Sequence, residues 1–245
     1  MRRILFSWRG VKVWSYPALL YVGLLLGVVA GNSAAHAGGI DPLHTFVASL
    51  LLIVPASVGA RLLYVATHWP MYQGNWRLAW RRREGGASSY GALLLALPAS
   101  WPVTKLLGLP FARFLDVVTF SVLVAMIAIR VGCFLNGCCA GRVSTAWCTL
   151  HLPNHRGIWG KRFPTQLLEA LWAAGLLASA CVVWRALPFP GALLLVAIGA
   201  YATGKMLLEP LRERPPKASQ MRAWVSAALI IVTAGASIAL WLASG

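Results

Sequence analysis

Long apolar stretches alternate with polar loops along the chain. Each stretch runs for roughly 20 residues with almost no charged side chain, the length that an α-helix needs to cross the hydrocarbon core of a bilayer. The pattern predicts an all-α membrane protein with about seven transmembrane helices in one bundle. The predicted spans are 16–35, 44–66, 88–107, 114–130, 166–184, 189–208 and 222–243.

The composition favours a single transmembrane domain over residues 1–245. Apolar residues make up 59% of the sequence and charged residues only 11%. In soluble domains about a quarter of the residues are charged, and disordered chains have few apolar residues. The composition therefore excludes both classes. No small-residue cleavage site ends a short apolar core near the N-terminus, and we therefore expect the first span to be retained. Gly59, Gly91 and Gly204 supply small contact residues for close helix packing.

The formal net charge is +16, and the basic residues gather in loops. Anionic lipid headgroups are the expected partners, whereas the amount of membrane-length apolar sequence argues against nucleic acid. Three loops stand out: 67–87, 131–165 and 209–221. With seven spans they lie on the same side as the N-terminus, and the positive-inside rule places that side in the cytoplasm.

Three cations, Arg61, Arg130 and Lys205, lie inside or at the ends of predicted spans. A charge at membrane depth is costly unless it snorkels to the interface, pairs or lines a polar cavity. Snorkelling explains any one of them alone. Because all three are expected on the same side, they could instead form, with Arg162, a cationic pocket for a lipid phosphate, which arginine binds through two hydrogen bonds.

The acidic residues differ in context. Glu209 lies four residues after Lys205, so the two share a helix face and are expected to pair. Glu169 follows a Pro-Thr helix start and lies one turn after Gln166. Asp116 stands at the start of the fourth span, where a helix dipole favours it, and we expect a structural role there.

Four of the five cysteines fall within residues 133–148, after the fourth span. Three interpretations are open. The first is a metal site, although the Cys-x2–4-Cys spacing usual for zinc is absent. The second is a redox pair such as Cys133 with Cys138. The third is packing of small side chains around a Gly-rich turn. Cys181 lies alone in an apolar helix, and packing is the role expected of it. The candidate metal ligands are Cys138, Cys148, His151 and His155.

Five short motifs occur in an order, and at distances from the spans, that are similar to those of one family. The set resembles the prolipoprotein diacylglyceryl transferases, bacterial inner-membrane enzymes with seven helices, over about residues 15–212. The motifs are GARLLY at 59–64, GGASSYG at 85–91, RVGCFLNG at 130–137, RFPTQLLE at 162–169 and YATGK at 201–205.

The resemblance implies a multi-pass protein of the bacterial plasma membrane. It would move a diacylglyceryl group from phosphatidylglycerol to the thiol of a prolipoprotein lipobox cysteine, without a cofactor. Arg130 matches the signature arginine of the family and would bind the phosphate. The residues expected to be catalytic are Arg130, Lys205, Tyr201 and Tyr90. Those expected to bind substrate are Tyr16, Arg61, Asn136, Gly141, Arg162, Glu209 and Arg212.

This chain departs from the family pattern at positions where the family has two histidines, an asparagine, a glutamate and a second arginine. These positions are Tyr90, Phe163, Cys133, Cys138 and Lys205. Lysine keeps the charge of arginine but loses its bidentate geometry, and the loss of both imidazoles leaves the thiol base open. The alternatives are a transferase with another acceptor, a lipid-binding protein without turnover, and a cysteine-centred redox or metal-binding protein. The orientation is also open, since the family places its N-terminus and signature loop in the periplasm.

Overall fold

Long helices form most of the described chain. The computed structural model describes residues 4–8, 11–73, 86–154, 157–213 and 216–244. The helices are α1 (Ser15–Ala37), α2 (Pro42–Thr67), α3 (Ser89–Leu106), α4 (Phe111–Asn136), α5 (Thr165–Val183), α6 (Ala192–Leu208) and α7 (Pro216–Ser244).

Within the described residues, six of these helices are long and apolar enough to cross a membrane. The exception is α3, where Ser100, Thr104 and Lys105 lower the apolar content. Large apolar side chains such as Leu25 and Val182 are exposed on the other helices, as expected where lipid covers them. The helical membrane fold is therefore confirmed in outline, and a seventh span stays a prediction.

The described parts of the loops contain two antiparallel β-hairpins, which the apolar pattern does not predict. In the first, β1 (Ile4–Trp8) pairs with β2 (Val11–Trp14). In the second, β3 (Leu150–Pro153) pairs with β4 (Trp159–Arg162). Strands of four or five residues are too short for their alternation to stand out within a polar loop. The chain is thus mostly, rather than entirely, helical.

The chain divides into two compact units. The larger comprises Met1–Ala34 and Leu115–Gly245, and the smaller comprises Ala35–Phe114. A single domain over residues 1–245 stays a prediction. So does the orientation inferred from the basic loops, because much of their charge lies outside the described residues. These residues are Arg77, Arg81, Arg82, Arg83, Arg156 and Arg214.

In the smaller unit, α2 and α3 pack closely at a pair of glycines. A Cβ atom at Gly59 would collide with the backbone oxygen of Gly91, and a Cβ atom at Gly91 would collide with that of Gly59. The two backbones therefore approach each other directly, which confirms the packing role predicted for these small residues.

In the larger unit, α6 packs against both α5 and α7. Gly204 of α6 lies against the indole of Trp172 from α5. The indole Nε1 donates a hydrogen bond to the backbone oxygen of Ala200, at 3.0 Å. Gly204 thus also has the predicted packing role, because a larger residue there would displace the tryptophan.

The N-terminus of α6 is capped by Asp116, which extends from α4. Its carboxylate accepts hydrogen bonds from the backbone N–H groups of Gly191 at 2.7 Å, Leu193 at 3.0 Å and Leu194 at 3.4 Å. The side chain is buried. The structural role expected of Asp116 is therefore supported, but the helix terminus that it serves belongs to α6 rather than to its own helix.

Asp116→Ala is expected to lower the free energy of unfolding by about 1–3 kcal/mol, because buried N–H groups at the start of α6 lose their acceptor. Denaturant unfolding in detergent micelles, followed by circular dichroism, measures the loss. The matched control is Asp41→Ala, which removes an exposed cap from α2 and should have a smaller effect. Equal losses for the two variants would contradict the role assigned to Asp116.

Candidate functional site

A buried carboxylate, Glu169, lies at the centre of a cluster of cationic side chains. Glu169 stands near the start of α5 and is only 2% exposed. The Nε atom of Arg130, from α4, lies 2.6 Å from one carboxylate oxygen. The other oxygen pairs with Nη2 of Arg212. The carboxylate therefore joins two arginines from distant parts of the sequence.

Helix α6 brings a tyrosine and a lysine to the same cluster. Arg130 donates a hydrogen bond from Nη2 to the hydroxyl oxygen of Tyr201, at 3.2 Å. The Nζ atom of Lys205 lies 5.3 Å from the centre of the Tyr201 ring, within the range of a cation–π contact. Lys205 also interacts electrostatically with Glu169, as both arginines do. Three cations thus lie around one buried carboxylate.

Hydrogen bonds between the loop after α4 and the start of α5 position this cluster. The hydroxyl of Thr165 donates to the backbone oxygen of Cys139 at 2.9 Å, and Nε2 of Gln166 donates to that of Cys138 at 2.7 Å. Both donor residues are fully buried. The end of the helix that carries Arg130 is therefore held against the helix that carries Glu169.

Gly141 lies where three backbone segments meet. Its N–H group donates to the backbone oxygen of Phe163 at 3.0 Å, and the next N–H group, of Arg142, donates to Leu211 at 2.8 Å. Gly141 also forms a β-bridge with Arg212. A Cβ atom at Gly141 would lie 2.5 Å from the oxygen of Phe163 and 2.7 Å from that of Leu211. Gly141 was expected to bind substrate. In the structure its backbone contacts help to position Arg212.

Gly141→Ala is expected to destabilise the protein by about 1–3 kcal/mol, because the methyl group would force backbone segments apart. Thermal unfolding in detergent measures the effect. Gly175→Ala in α5 is the control, since a Cβ atom there meets nothing within 4 Å and alanine is the better helix former. A Gly141→Ala protein as stable as the control would contradict the close approach.

Arg162, expected in the anion pocket, is bound by other partners. It is the last residue of β4 and is 3% exposed. Its Nη1 atom lies 2.6 Å from Oε2 of Glu213 and donates to the backbone oxygen of Gly141 at 3.2 Å. Arg162 therefore supports the backbone crossing at Gly141. Its role as a phosphate ligand stays a prediction.

Three thiols lie together at the end of α4, close to Arg130 in the sequence. The Sγ atoms of Cys133, Cys138 and Cys139 all lie within 4.8 Å of one another. Left-handed backbone at Gly137, with φ of 74°, and at Cys139, with φ of 60°, turns the chain back toward the end of α4. Hydrogen bonds from the other two thiols lower the pKa of the Cys139 thiol, and the charges of Arg212 and Arg130 act in the same direction.

The thiol group differs from the metal site considered from the sequence. Among the described residues, neither Cys148 nor His151 joins a metal-binding group, and His155 lies outside the described residues. Cys133 and Cys138, considered as a redox pair, are neighbours, and both are free thiols. Cys181 is exposed on α5, so the packing role expected of it within the protein is wrong.

Tyr16 and Asn136, both expected to bind substrate, lie beside the thiol group. Tyr16, in the first turn of α1, interacts electrostatically with all three of its cysteines. The side chain of Asn136 hydrogen-bonds with Cys138. Glu209, just after α6, is buried, and its pairing with Lys205 stays a prediction.

Arg61 and Tyr90 belong to the smaller unit. Arg61 donates from Nη1 to the backbone oxygen of Gly86 at 3.0 Å. Its guanidinium lies 5.7 Å from the ring centres of both Tyr64 and Tyr72. Tyr90 stands in the first turn of α3 and is half-buried. The roles of Arg61 in phosphate binding and of Tyr90 in catalysis stay predictions.

Sequence reasoning did not include Glu169 among the site residues, although the structure makes it the centre of the cluster. A usable signal was present. An acid within an apolar span is rare and is expected to pair inside the protein. What the sequence does not indicate is which cations meet it, because Arg130 and Arg212 come from opposite sides of Glu169 along the chain.

Known proteins show a consistent similarity to this chain. The family model described as prolipoprotein diacylglyceryl transferase matches residues 3–241. Three relatives are named phosphatidylglycerol–prolipoprotein diacylglyceryl transferase. The one from Geobacillus kaustophilus is 30% identical over 245 residues, 95% of this chain and 88% of the relative. The one from Clostridioides difficile is 26% identical over 218 residues, which cover 86% of this chain and 84% of the relative. The one from Thermosynechococcus vestitus is 29% identical over 204 residues, which cover 80% of this chain and 76% of the relative.

Proposed function

The chain belongs to the prolipoprotein diacylglyceryl transferase family, and we propose that it is a phospholipid-dependent transferase. It moves the diacylglyceryl group of phosphatidylglycerol to a cysteine thiol of a prolipoprotein, the substrates for which its relatives are named. The observation that carries the proposal is the buried cluster in which Arg130, Arg212 and Lys205 lie around Glu169.

This cluster has the charge and donors that a lipid phosphate requires. Its cations come from segments long and apolar enough to cross a membrane or from the residues just after them. A positive charge at that depth is costly unless it interacts with an anion. Guanidinium groups bind phosphate oxygens through paired, charge-assisted hydrogen bonds. Glu169 engages both arginines and orients them, so that the phosphate meets a preorganised site.

In the proposed reaction, the acceptor sulfur forms a bond to the glycerol carbon of the diacylglyceryl group. The bond between that carbon and the phosphate oxygen breaks, and glycerol phosphate leaves with the electron pair. The thiol proton passes to a base or to solvent. Negative charge grows on the departing phosphate in the transition state, and Arg130, held by Glu169 and Tyr201, stabilises that charge.

A second candidate is the same transfer to a different acceptor. The observation in its favour is the chemistry of this site, which has Lys205 in the cationic cluster and a thiol at Cys138 where the resemblance leads us to expect arginine and glutamate. Lysine offers a point charge rather than a planar fork. The donor would be the same anionic phospholipid, since the phosphate ligands are retained.

We place this activity in the inner membrane of a bacterium, with the lipobox cysteine as acceptor and α3 as the seventh crossing. The six membrane-length helices and the bacterial sources of the relatives support the placement. The substrate is a membrane lipid, so a site built from transmembrane helices receives it directly from the bilayer.

Complementation of a bacterial strain depleted of its own transferase tests the proposal. The wild-type chain is expected to restore growth, and an empty vector is not. Membrane fractions probed for the protein control for expression. Absence of growth with the protein present in the membrane would reject the lipobox acceptor, and consumption of phosphatidylglycerol by those membranes would then favour the second candidate.

A further inference from the structure

The three-thiol group of Cys133, Cys138 and Cys139 supplies no ligand to the lipid phosphate in the reaction proposed above. Its Sγ atoms all lie within 4.8 Å of one another. Neighbouring positions in the sequence bring the backbones of these residues close together, but the three side chains also turn toward one point. Such convergence is the arrangement expected when several sulfurs share one ligand.

The backbone fixes these thiols before any ligand arrives. Cys133 lies on α4 and is buried. The carbonyl groups of Cys138 and Cys139 are held by Gln166 and Thr165 at the start of α5. Cys139 adopts a φ of 60°, a left-handed conformation that is unfavourable for a residue with a side chain. The surrounding contacts therefore hold a strained conformation that brings its sulfur to the other two.

We propose that Cys133, Cys138 and Cys139 bind one thiophilic metal ion, Zn²⁺ or Cu⁺. Soft thiolate ligands select these ions. With metal–sulfur bonds of about 2.3 Å, two sulfurs on one ion are roughly 4 Å apart. Small side-chain rotations suffice to reach that spacing from the present one. Each thiol gives up its proton as it binds the ion.

The surroundings compensate the charge of such a site. Three thiolates on a divalent or monovalent ion leave net negative charge, and Arg212 and Arg130 lie close enough for their charges to act on Cys139. The ion would tie the end of α4 to the loop at residues 138–139. That tie begins three residues after Arg130, and the site would therefore brace the helix turn that carries this arginine.

Metal binding by purified full-length protein, kept reduced in detergent, tests the proposal. In one arm Co²⁺, a spectroscopic substitute for Zn²⁺, is added and the thiolate-to-cobalt charge-transfer absorption is recorded, followed by displacement with Zn²⁺. In the other arm Cu⁺ competes with a colorimetric chelator. We expect one ion per chain in at least one arm, and the arm that binds identifies the ion.

The variants separate this site from the remaining cysteines. Cys148→Ser with Cys181→Ser, two exposed positions, should bind as the wild type does. Adding Cys133→Ser, Cys138→Ser or Cys139→Ser to that background should weaken binding at least about tenfold, with the far-ultraviolet circular dichroism of the apoprotein unchanged. No binding in either arm, or binding that none of the three substitutions weakens, would overturn the proposal. So would a disulfide between Cys133 and Cys138 that forms in the purified protein and resists treatment with excess reductant. If a variant misfolds, the reactivity of the three remaining thiols is measured in the folded Cys148→Ser, Cys181→Ser protein with and without the ion. Protection of these thiols by the ion supports the site, and unchanged reactivity contradicts it.

Discussion

Arg130→Ala is expected to lower the turnover number of the transferase by about 10²–10³-fold, the usual cost of removing one preorganised donor to a developing negative charge. The guanidinium is held at 2.6 Å from Glu169 and at 3.2 Å from the hydroxyl oxygen of Tyr201, so no other group can take its place without movement. Arg130→Lys should lose less activity, because it keeps the charge but not the planar fork. Release of glycerol phosphate from phosphatidylglycerol, measured over time with saturating acceptor peptide, gives the turnover number.

Arg113→Ala provides the matched control for Arg130. Arg113 lies on the same helix, α4, near its other end, and is exposed. It should retain the wild-type rate. If Arg130→Ala turned over as fast as Arg113→Ala, the phosphate would have to bind elsewhere. Thermal unfolding of both variants shows whether a lost rate reflects lost structure.

Glu169→Gln is expected to have the largest effect on stability, on the order of 3–5 kcal/mol, because it leaves buried cations without their carboxylate. Both oxygens of Glu169 are engaged, one with Arg130 and one with Arg212. Glutamine has nearly the same shape, and the loss therefore reports on charge. Denaturant unfolding in micelles measures it. Turnover should fall as well, since Arg130 loses the partner that orients it.

The matched control is Glu213→Gln, which breaks another arginine–carboxylate pair of the larger unit. Glu213 pairs with Arg162 at 2.6 Å, but its side chain is 41% exposed, so water screens the charge. The expected loss is smaller than for Glu169→Gln, because a glutamine at this exposed position stays hydrated and Arg162 keeps its hydrogen bond to the backbone oxygen of Gly141. Similar losses for the two glutamine variants would show that burial of Glu169 does not set the strength of its ion pairs.

The helices could be predicted because six of the seven described are long and strongly apolar. The predicted span 44–66 lies within α2 (Pro42–Thr67) and 222–243 within α7 (Pro216–Ser244). The spacing of residues along a helix predicts which side chains share a face of that helix. It gives no information on strand pairs in a polar loop, where each strand is too short for its alternation to stand out. The hairpin of β3 and β4 was missed for that reason, although it delivers Arg162 to Gly141.

The candidate site could be predicted in part. Arg130, Tyr201, Lys205 and Arg212 were singled out from cations at membrane depth and from the family resemblance, and the structure brings them together. Glu169 was missed because its role depends on tertiary contacts between α4, α5 and the segment after α6. The proximity of Cys133 and Cys138 was considered from the sequence. That Cys139 joins them was not, because the left-handed turn at Cys139 has no signature in its residue types.

Mass spectrometry of a lipobox peptide, incubated with purified protein and phosphatidylglycerol, tests most directly whether the cationic cluster at Glu169 holds the phosphate of the donor lipid during transfer. The peptide is expected to gain the mass of one diacylglyceryl group with the wild-type chain and none with Arg130→Ala. A peptide with serine in place of the cysteine should stay unmodified. An unmodified cysteine peptide with folded wild-type protein, or an equal gain with Arg130→Ala, would contradict the account.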